Sequence, residues 1–284
     1  MTKERIQKAL ARQGLGSRRQ IERLIELGEI KLNDKIAQLG DHVQAGDVVL
    51  HGGRKIIIRE ITNHPPKVIM YHKPEGEVCT TSDPEGRPTI FDHLPPIRYG
   101  RWIAVGRLDL NTSGLILLTD NGELANKLMH PSSIIEREYA VRVLGTVTED
   151  ILKKITHGVE LEDGPARFEE VVDSGSEGMG ANHWYHVVLM EGRNREVRRI
   201  WEAVDLKVSR LMRVRYGPII LNKSQRVGQF RELPDKKVIE LAALVGLHYE
   251  IDEQAVTEKQ PIKSHRKIVN KKQGSYQRGK TRDR

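Results

Sequence analysis

The apolar run LILLT at residues 115–119 constrains the fold of this 284-residue chain more than any other feature. The polar sequence GRLDLNTSG precedes it directly, and Asn121-Gly122 follows it closely. A short apolar run between two turn sequences is typical of a buried strand. A buried strand needs neighbouring strands and covering elements, so the run predicts a domain with a sheet at its core.

Strands and short helices alternate around this run, from residue 67 to about residue 250. Strands are predicted at VIMYHK, RWIAVGR, LILLT, EREYAVRVLG, ARFEEVV and HWYHVVLM, the last two forming a hairpin around SGSEGMG. Helices are predicted at ELANKLM, at residues 148–156, near 196–204 and near 235–247. Strands outnumber helices and hairpins recur, so we predict an α+β fold with a mixed, largely antiparallel sheet flanked by helices.

The first sixty residues predict a smaller unit. After one short helix, SRRQIERLIELG predicts a second helix, in which Ser17 and Gln20 have capping-box spacing and Gly28 marks the end. The next segment, EIKLNDKIAQLG, predicts a hairpin that turns at Asn33-Asp34.

Charge and turn residues divide the chain further. The proline-containing TNHPP at residues 62–66 predicts a linker between domains at 1–61 and 67–250. Residues 257–284 contain ten basic and two acidic residues and so carry the whole formal charge of +8. We expect the basic tail, residues 251–284, to be disordered. Binding to a polyanion and a simple contribution to solubility both remain open for it.

The chain has one cysteine, Cys79, so no intrachain disulfide is possible. Its first residues, MTKERIQKAL, are charged where a signal peptide is apolar. No segment approaches the roughly 18 continuous apolar residues of a membrane span. We therefore expect a cytoplasmic protein with no membrane partner.

Several chemistries lack their sequence signatures. There is no G-x-x-x-x-G-K-[ST] phosphate loop, no G-x-G-x-x-G after a strand and no G-x-S-x-G elbow. The eleven histidines show no metal-binding spacing with cysteine or with one another. We expect no metal, no nucleotide cofactor and no other cofactor.

Asp109 is the candidate reactive group that remains. It lies in a turn between two predicted strands, where a carboxylate is held rigidly, as a nucleophile must be. Aspartate is common in turns for structural reasons alone, so the turn by itself leaves both interpretations open.

Two arginine clusters accompany this aspartate. Arg18 and Arg19 fall in the first turn of a predicted helix, where the helix dipole favours an anion rather than a cation. The sequence EGRNREVRRI supplies four more: Arg193, Arg195, Arg198 and Arg199. If a helix begins near residue 194, the last three lie close to one face and could grip phosphates beside an ionised aspartate. A solvated basic surface is the alternative for both clusters.

These motifs resemble known families. GLGSRRQIERLIELGEIKLNDKIAQLGDHVQAGD resembles the S4 RNA-binding domain. Four further segments resemble, in order, the motifs of the S4-containing pseudouridine synthases that modify bacterial ribosomal RNA: YHKPEGEVCTTSDPEGRPTIFDHLP, GRLDLNTSGLILLTDNGELANKLMHP, EREYAVRV and EGRNREVRRIWEAVDLKVSRLMRVRYGPI. The likeness extends from about residue 5 to residue 247.

The resemblance implies a role for each candidate residue. Asp109 would start cleavage of the uridine C–N bond, and Arg198 would keep it charged. Arg107 would fill the gap left by the flipped uridine, and Tyr139 would stack on the flipped base. The S4 resemblance implies that Arg18 and Arg19 contact RNA. We also expect RNA contacts at Lys73, Arg193 and Arg195, and we expect the role of Lys73 to be mainly positional.

The resemblance also implies an isomerase that acts on 23S ribosomal RNA or on a precursor of the large ribosomal subunit, and we expect a monomer. Two other classes remain open at this stage. A non-catalytic ribosome-associated S4 protein would keep the arginines but would have no use for Asp109 with Tyr139 and Arg198. A phosphodiester-cleaving enzyme would need metal carboxylates or a histidine pair, which the motifs do not supply.

Overall fold

A computed structural model describes residues 3–60, 62–97, 99–176 and 182–251 of the protein. The expected disorder of the basic tail lies outside the described residues, apart from its first residue, and so does most of the predicted SGSEGMG loop. Within the described ranges, no helix has both the length and the apolar character needed to cross a membrane.

Within its described residues, the N-terminal unit contains two helices and six short strands. The helices are α1 (Ile6–Arg12) and α2 (Arg18–Glu26). The strands are β1 (Glu4–Arg5), β2 (Ile30–Leu32), β3 (Lys35–Ile36), β4 (His42–Val43), β5 (Val48–His51) and β6 (Arg54–Ile57). Four of the strands form a sheet in the order β3-β2-β5-β6, and β1 pairs with β4.

Local sequence signals set the geometry of this unit. The capping box predicted for α2 is present, since Gln20 N donates to Ser17 Oγ at 3.2 Å and Ser17 N donates to Gln20 Oε1 at 2.8 Å. The predicted hairpin is also present, with Asn33 and Asp34 both at positive φ between β2 and β3. Arg18 and Arg19 therefore lie, exposed, at the start of a capped helix.

In the part of the larger unit that the structure describes, there are eleven strands and four helices. Its strands are β7 (Val68–Lys73), β8 (Ile103–Val105), β9 (Ser113–Thr119), β10 (Arg137–Leu144), β11 (Val159–Leu161), β12 (Gly164–Ala166), β13 (Glu170–Ser176), β14 (Asn182–Leu189), β15 (Lys207–Tyr216), β16 (Ile219–Ile220) and β17 (Phe230–Glu232). Its helices are α3 (Gly122–Met129), α4 (Glu149–His157), α5 (Glu196–Glu202) and α6 (Asp235–Ala243). A short 3₁₀ helix, Pro131–Ser133, follows α3.

Nine of these strands form one mixed sheet. Its main path is β13-β14-β10-β15-β9-β7-β17, with β16 attached to β15 and β8 attached to β9. The β15–β9 pair is parallel, and the other pairs in the sheet are antiparallel. The predicted α+β fold with a mixed, largely antiparallel sheet is confirmed.

The two faces of the sheet pack against different helices. On the front face, Tyr71, Ile116 and Val141 are buried in one core with residues of α4 and α5. On the back face, Met70 and Leu117 are buried in a second core with residues of α3 and α6. The LILLT run supplies residues to both cores, as a centrally buried strand must.

The central strand β15 was absent from the predicted strands. Its sequence KVSRLMRVRY has three arginines, which interrupt the apolar pattern that identifies a buried strand. The structure buries one of them, Arg213, at 3% exposure and leaves Arg210 exposed. Pairing with β10 on one side and with β9 on the other holds the strand in the middle of the sheet.

Gly114 permits the close approach of β9 to β15. Its φ is +104°, and a Cβ atom built on it would lie 2.2 Å from the carbonyl oxygen of Arg213. This parallel contact connects the strand after the Asp109 turn to the strand that carries Arg213. No residue with a side chain fits there without displacing backbone.

We predict that Gly114→Ala lowers the free energy of unfolding by about 2–6 kcal/mol, the sum of a strained φ and of overpacking against backbone. Gly164 is a matched control because it has the same φ of +104° and open space around its Cβ position. Gly164→Ala should cost about 1–3 kcal/mol, from the φ term alone. Denaturant unfolding measures both, and equal losses would contradict the close-approach explanation.

Candidate active site

Asp109 lies in a tight turn between β8 and β9. The amide of Thr112 donates to the carbonyl oxygen of Asp109 at 3.0 Å, which closes the turn. Gly106 directly follows β8, and its positive φ of +80° turns the chain from that strand toward Asp109. The Asp109 side chain is partly exposed, and it has no hydrogen bond or ion pair to any other described residue. Its carboxylate is therefore available to a substrate.

Lys73 holds this turn from inside the protein. The side chain is fully buried, at 0% exposure. Its Nζ donates to the carbonyl oxygens of Thr112 at 2.8 Å, Pro74 at 2.9 Å and Asp109 at 3.1 Å, with a weaker contact to Leu110 at 3.5 Å. The ammonium thus binds carbonyl groups at both ends of the turn.

Burial lowers the pKa of Lys73, and the nearby charges of Cys79, Glu77 and Asp109 act in the opposite direction. The expectation that Lys73 contacts RNA is wrong, because its ammonium group is enclosed by protein carbonyls. Its positional role fits what the structure describes.

Arg198 holds the next part of the same turn. Its Nη2 donates to the carbonyl oxygen of Asn111 at 2.9 Å, and its Nη1 donates to that of Val208 on β15, also at 2.9 Å. Burial lowers the pKa of Arg198, the charge of Arg195 acts the same way, and the charge of Asp109 opposes both. Arg198 therefore interacts with Asp109 through its field and through the turn backbone, without a direct ion pair.

A cleft of about 650 Å³ opens in front of Asp109. Its lining includes four of the predicted residues around the aspartate: Arg107, Tyr139, Arg193 and Arg195. Arg107 is exposed, whereas Tyr139 is 8% exposed. Neither Lys73 nor Arg198 lines the cleft, so the two groups that fix the turn are separate from the groups that face the opening.

Strand register brings the site residues together across the sheet. Tyr139 on β10 lies opposite Arg213 on β15, and Arg213 is in register with Gly114 on β9. Gly114 is in turn opposite Lys73 on β7. Residues that are far apart in sequence therefore form one row, which ends at the turn that carries Asp109.

The second arginine cluster is arranged differently from the prediction. Helix α5 begins at Glu196, in agreement with the helix predicted near 196–204, but the shared-face hypothesis required a start near residue 194. Arg195 precedes the helix at a φ of +49°. Arg198 is buried against the turn, whereas Arg199 forms a bidentate pair with Asp163 at 2.7 and 2.8 Å. The prediction that Arg195, Arg198 and Arg199 share one helix face is wrong, because the chain turns at Arg195 before the helix starts.

Arg193 is occupied by protein groups. It contacts the carboxylates of Asp163, Glu191 and Glu196 at 3.0–3.1 Å and also donates to the carbonyl oxygens of Gly164 and Pro165. Glu196 is 3% exposed and also accepts the Arg193 amide. Arg193 therefore holds the loop that lines this side of the cleft, and its expected role as an RNA contact is not supported, because protein groups occupy its guanidinium. Arg195 is the more exposed of the two, with a contact to Glu202 at 3.4 Å.

Sequence reasoning missed three further residues that line the cleft. Arg137 and Arg213 have their guanidinium carbons 5.2 and 5.3 Å from the ring centre of Tyr216. Arg213 also donates to the carbonyl oxygen of Leu115 at 2.7 Å. For Arg213, the available signal was its position between the apolar residues Met212 and Val214, since a buried cation requires a specific partner.

Among the described residues, no three His, Cys, Asp or Glu side chains are grouped in a way that could hold a metal ion. The cleft is instead rich in guanidinium groups and aromatic rings around the Asp109 carboxylate, and its other two carboxylates, Glu191 and Glu196, contact Arg193. Such a surface suits an anionic, base-containing substrate, because guanidinium groups pair with phosphates and aromatic rings stack on bases.

Comparison with known proteins agrees with this chemistry. Residues 67–203 match the family model for RNA pseudouridylate synthase, and residues 4–49 match that for the S4 domain. The chain is 53% identical over 244 residues to ribosomal large subunit pseudouridine synthase B of Pseudomonas aeruginosa, covering 86% of this chain and 63% of that protein. It is 54% identical over 258 residues to the protein of the same name from Salmonella typhi, covering 90% of this chain and 88% of that protein.

The chain belongs to the RNA pseudouridine synthase family. A crystal structure of a pseudouridylate synthase matches the fold with a TM-score of 0.57 at 26% identity, covering 84% of this chain and 99% of that one. The resemblance drawn from the sequence motifs, and the isomerase class it implied, are confirmed. A non-catalytic S4 protein is not favoured.

We predict that Lys73→Met lowers kcat for pseudouridine formation by about 100-fold with little change in KM. Loss of the ammonium frees the turn, and a displacement of about 1 Å is enough for such a loss. The free energy of unfolding should also fall, by about 1–3 kcal/mol for each carbonyl left without a donor.

Lys67→Met removes an exposed lysine next to the same strand and serves as the control. It should change neither quantity. A folded Lys73→Met protein with near-wild-type kcat would show that the turn does not need this contact.

Proposed function

We propose that this protein converts a uridine of large-subunit (23S) ribosomal RNA into pseudouridine. The N1–C1′ bond breaks, the uracil rotates, and a C5–C1′ bond forms while the proton on C5 leaves and N1 gains one. The observation that carries the proposal is a partly exposed Asp109 carboxylate, without a protein partner among the described residues, on a rigid turn at the floor of an arginine-rich cleft. The substrate class follows the names of the relatives from Pseudomonas and Salmonella.

Asp109 is the proposed catalytic residue. It begins the reaction either by attack on C1′ or by removal of a proton from the ribose, and both routes need an ionised carboxylate at a fixed distance from the sugar. Arg198 supports that charge through its positive field and through its bond to the carbonyl oxygen of Asn111. It is a positioning residue, because it does not line the cleft.

The target nucleotide must leave its helix to reach this carboxylate, because the reacting sugar and base are otherwise enclosed. We assign to Tyr139 the stacking contact with the flipped base, supported by its position in the lining. Stacking of this kind contributes about 1–3 kcal/mol. Arg107, exposed at the same opening, would fill the vacated position in the RNA.

We propose the remaining RNA contacts at arginine side chains that are exposed and therefore accessible to RNA. Arg18 and Arg19 are exposed at the start of a capped helix and would bind phosphate together with its free amides. Arg195 would bind RNA at the rim of the cleft. Arg12, on helix α1, is not assigned an RNA contact, since it pairs with Glu4 at 2.6 Å.

The domain bounds remain those expected from the sequence: an S4 domain at 1–61, a linker at 62–66, a synthase domain at 67–250 and a tail at 251–284. Ile58 in the core of the first unit and Val68 in that of the second support this division.

The reaction is a net isomerisation, so its atoms balance without water, oxidant or reductant, and we propose no cofactor. A monomer acting in the cytoplasm is proposed, since one chain supplies the whole cleft and the proposed substrate is ribosomal RNA.

We predict that Asp109→Asn folds and binds RNA like the wild type but forms no pseudouridine. Asparagine keeps the size and hydrogen-bonding capacity of the side chain and removes its charge. Incubation with transcribed 23S RNA, followed by chemical mapping of pseudouridine, measures the product and its position.

Asp150→Asn is the matched control, because it removes one exposed carboxylate on α4 away from the cleft. It should leave the reaction unchanged. Product formation by Asp109→Asn near the wild-type rate would overturn the assignment.

A further inference from the structure

A basic surface lies on the back face of the sheet, away from the cleft. Three residues each follow or precede, along their strand, a residue that is buried in the core on the front face: Arg142, Arg210 and Trp184. Since successive side chains of a strand point to opposite faces, these three point to the back face. Helices α3 and α6 pack against the back of β7 and β9, whereas Arg210 is exposed and Arg142 and Trp184 are half-buried.

Register aligns these side chains in one row. Trp184 on β14 lies opposite Arg142 on β10, and Arg142 lies opposite Arg210 on β15. Lys207, also exposed, comes three residues before Arg210 on the same strand. We call these four residues the basic row.

Among the described residues, the charges of the basic row have no protein partner. None of its three cations forms an ion pair or a side-chain hydrogen bond with a described residue. By contrast, Arg215 on β15 is paired with Glu136 at 2.7 Å and with Glu138 at 2.9 Å. Like charges directly opposite each other on neighbouring strands are destabilising, so Arg142 and Arg210 carry a cost that a bound anion would remove.

We propose that the basic row binds the phosphate backbone of an RNA segment other than the one whose uridine enters the cleft. Guanidinium groups pair with phosphates, and Trp184 offers an aromatic ring for a base in the same row. The inference rests on the proposed function, because it takes RNA as the partner. Tyr139 and Arg142 lie on opposite faces of β10, so the second segment belongs to a large folded RNA that extends around the protein.

The test uses the full-length protein with two RNAs: transcribed 23S RNA, and a short stem-loop around the mapped target uridine. Binding to each is measured over a range of salt concentrations, and kcat and KM are measured on the stem-loop. The variant is Arg142→Gln/Arg210→Gln. Lys153→Gln/Lys154→Gln, which removes two exposed charges on α4, is the matched control. Arg18→Gln/Arg19→Gln serves as a reference for loss of S4 contacts.

The Arg142/Arg210 variant should bind 23S RNA more weakly, with a log–log salt slope smaller by about 1.4–1.8 for two lost contacts. Its kcat and KM on the stem-loop should match those of the wild type, and the α4 control should match the wild type on both RNAs. Unchanged affinity and slope on 23S RNA would overturn the proposal. An equal loss on both RNAs would also overturn it, because the row would then affect the cleft.

Melting temperature and circular dichroism establish that each variant is folded. Binding to 23S RNA is measured without turnover, so the result remains interpretable if the wild-type protein forms no pseudouridine. Failure of the proposed function and failure of this inference are therefore distinguishable.

Discussion

The contact between the buried Lys73 ammonium and the carbonyl oxygens around Asp109 is the interaction on which the site depends. A charge without water must be surrounded by acceptors, and here the acceptors are backbone groups of the turn itself. Neither the lysine nor the turn can move without leaving unsatisfied polar groups. Burial of one cation therefore fixes the position of the aspartate backbone.

This arrangement leaves the Asp109 carboxylate available. Lys73 and Arg198 both lie close enough for the aspartate to raise their pKa values, yet each donates its hydrogen bonds to carbonyl groups. A direct ion pair would stabilise the carboxylate but would occupy the oxygens that must reach the ribose. Holding the cations on the backbone supplies positive potential without that competition. The same separation explains why the groups that fix the turn are absent from the cleft lining.

The parts of the fold that the sequence predicted depend on local signals. The capping box of α2, the Asn33-Asp34 hairpin and the apolar strand after Asp109 are each determined by residues within a few positions of one another. The parts that were missed depend on distant partners. The Arg199–Asp163 pair joins residues 36 positions apart, and Lys73 meets the turn 36 to 39 positions away. Strand β15 was missed because its arginines are stabilised by tertiary contacts that no short window contains.

Native-state hydrogen exchange at the amides of Thr112 and Gly76 tests the central claim most directly. These amides donate to the carbonyl oxygens of Asp109 and Leu110, so they report opening of the turn itself. If the buried ammonium locks the turn, both amides should exchange as slowly as that of Leu117 in the centre of β9, through global unfolding. Exchange at the rate of an exposed loop, with Leu117 still protected, would show a loose turn and contradict the account.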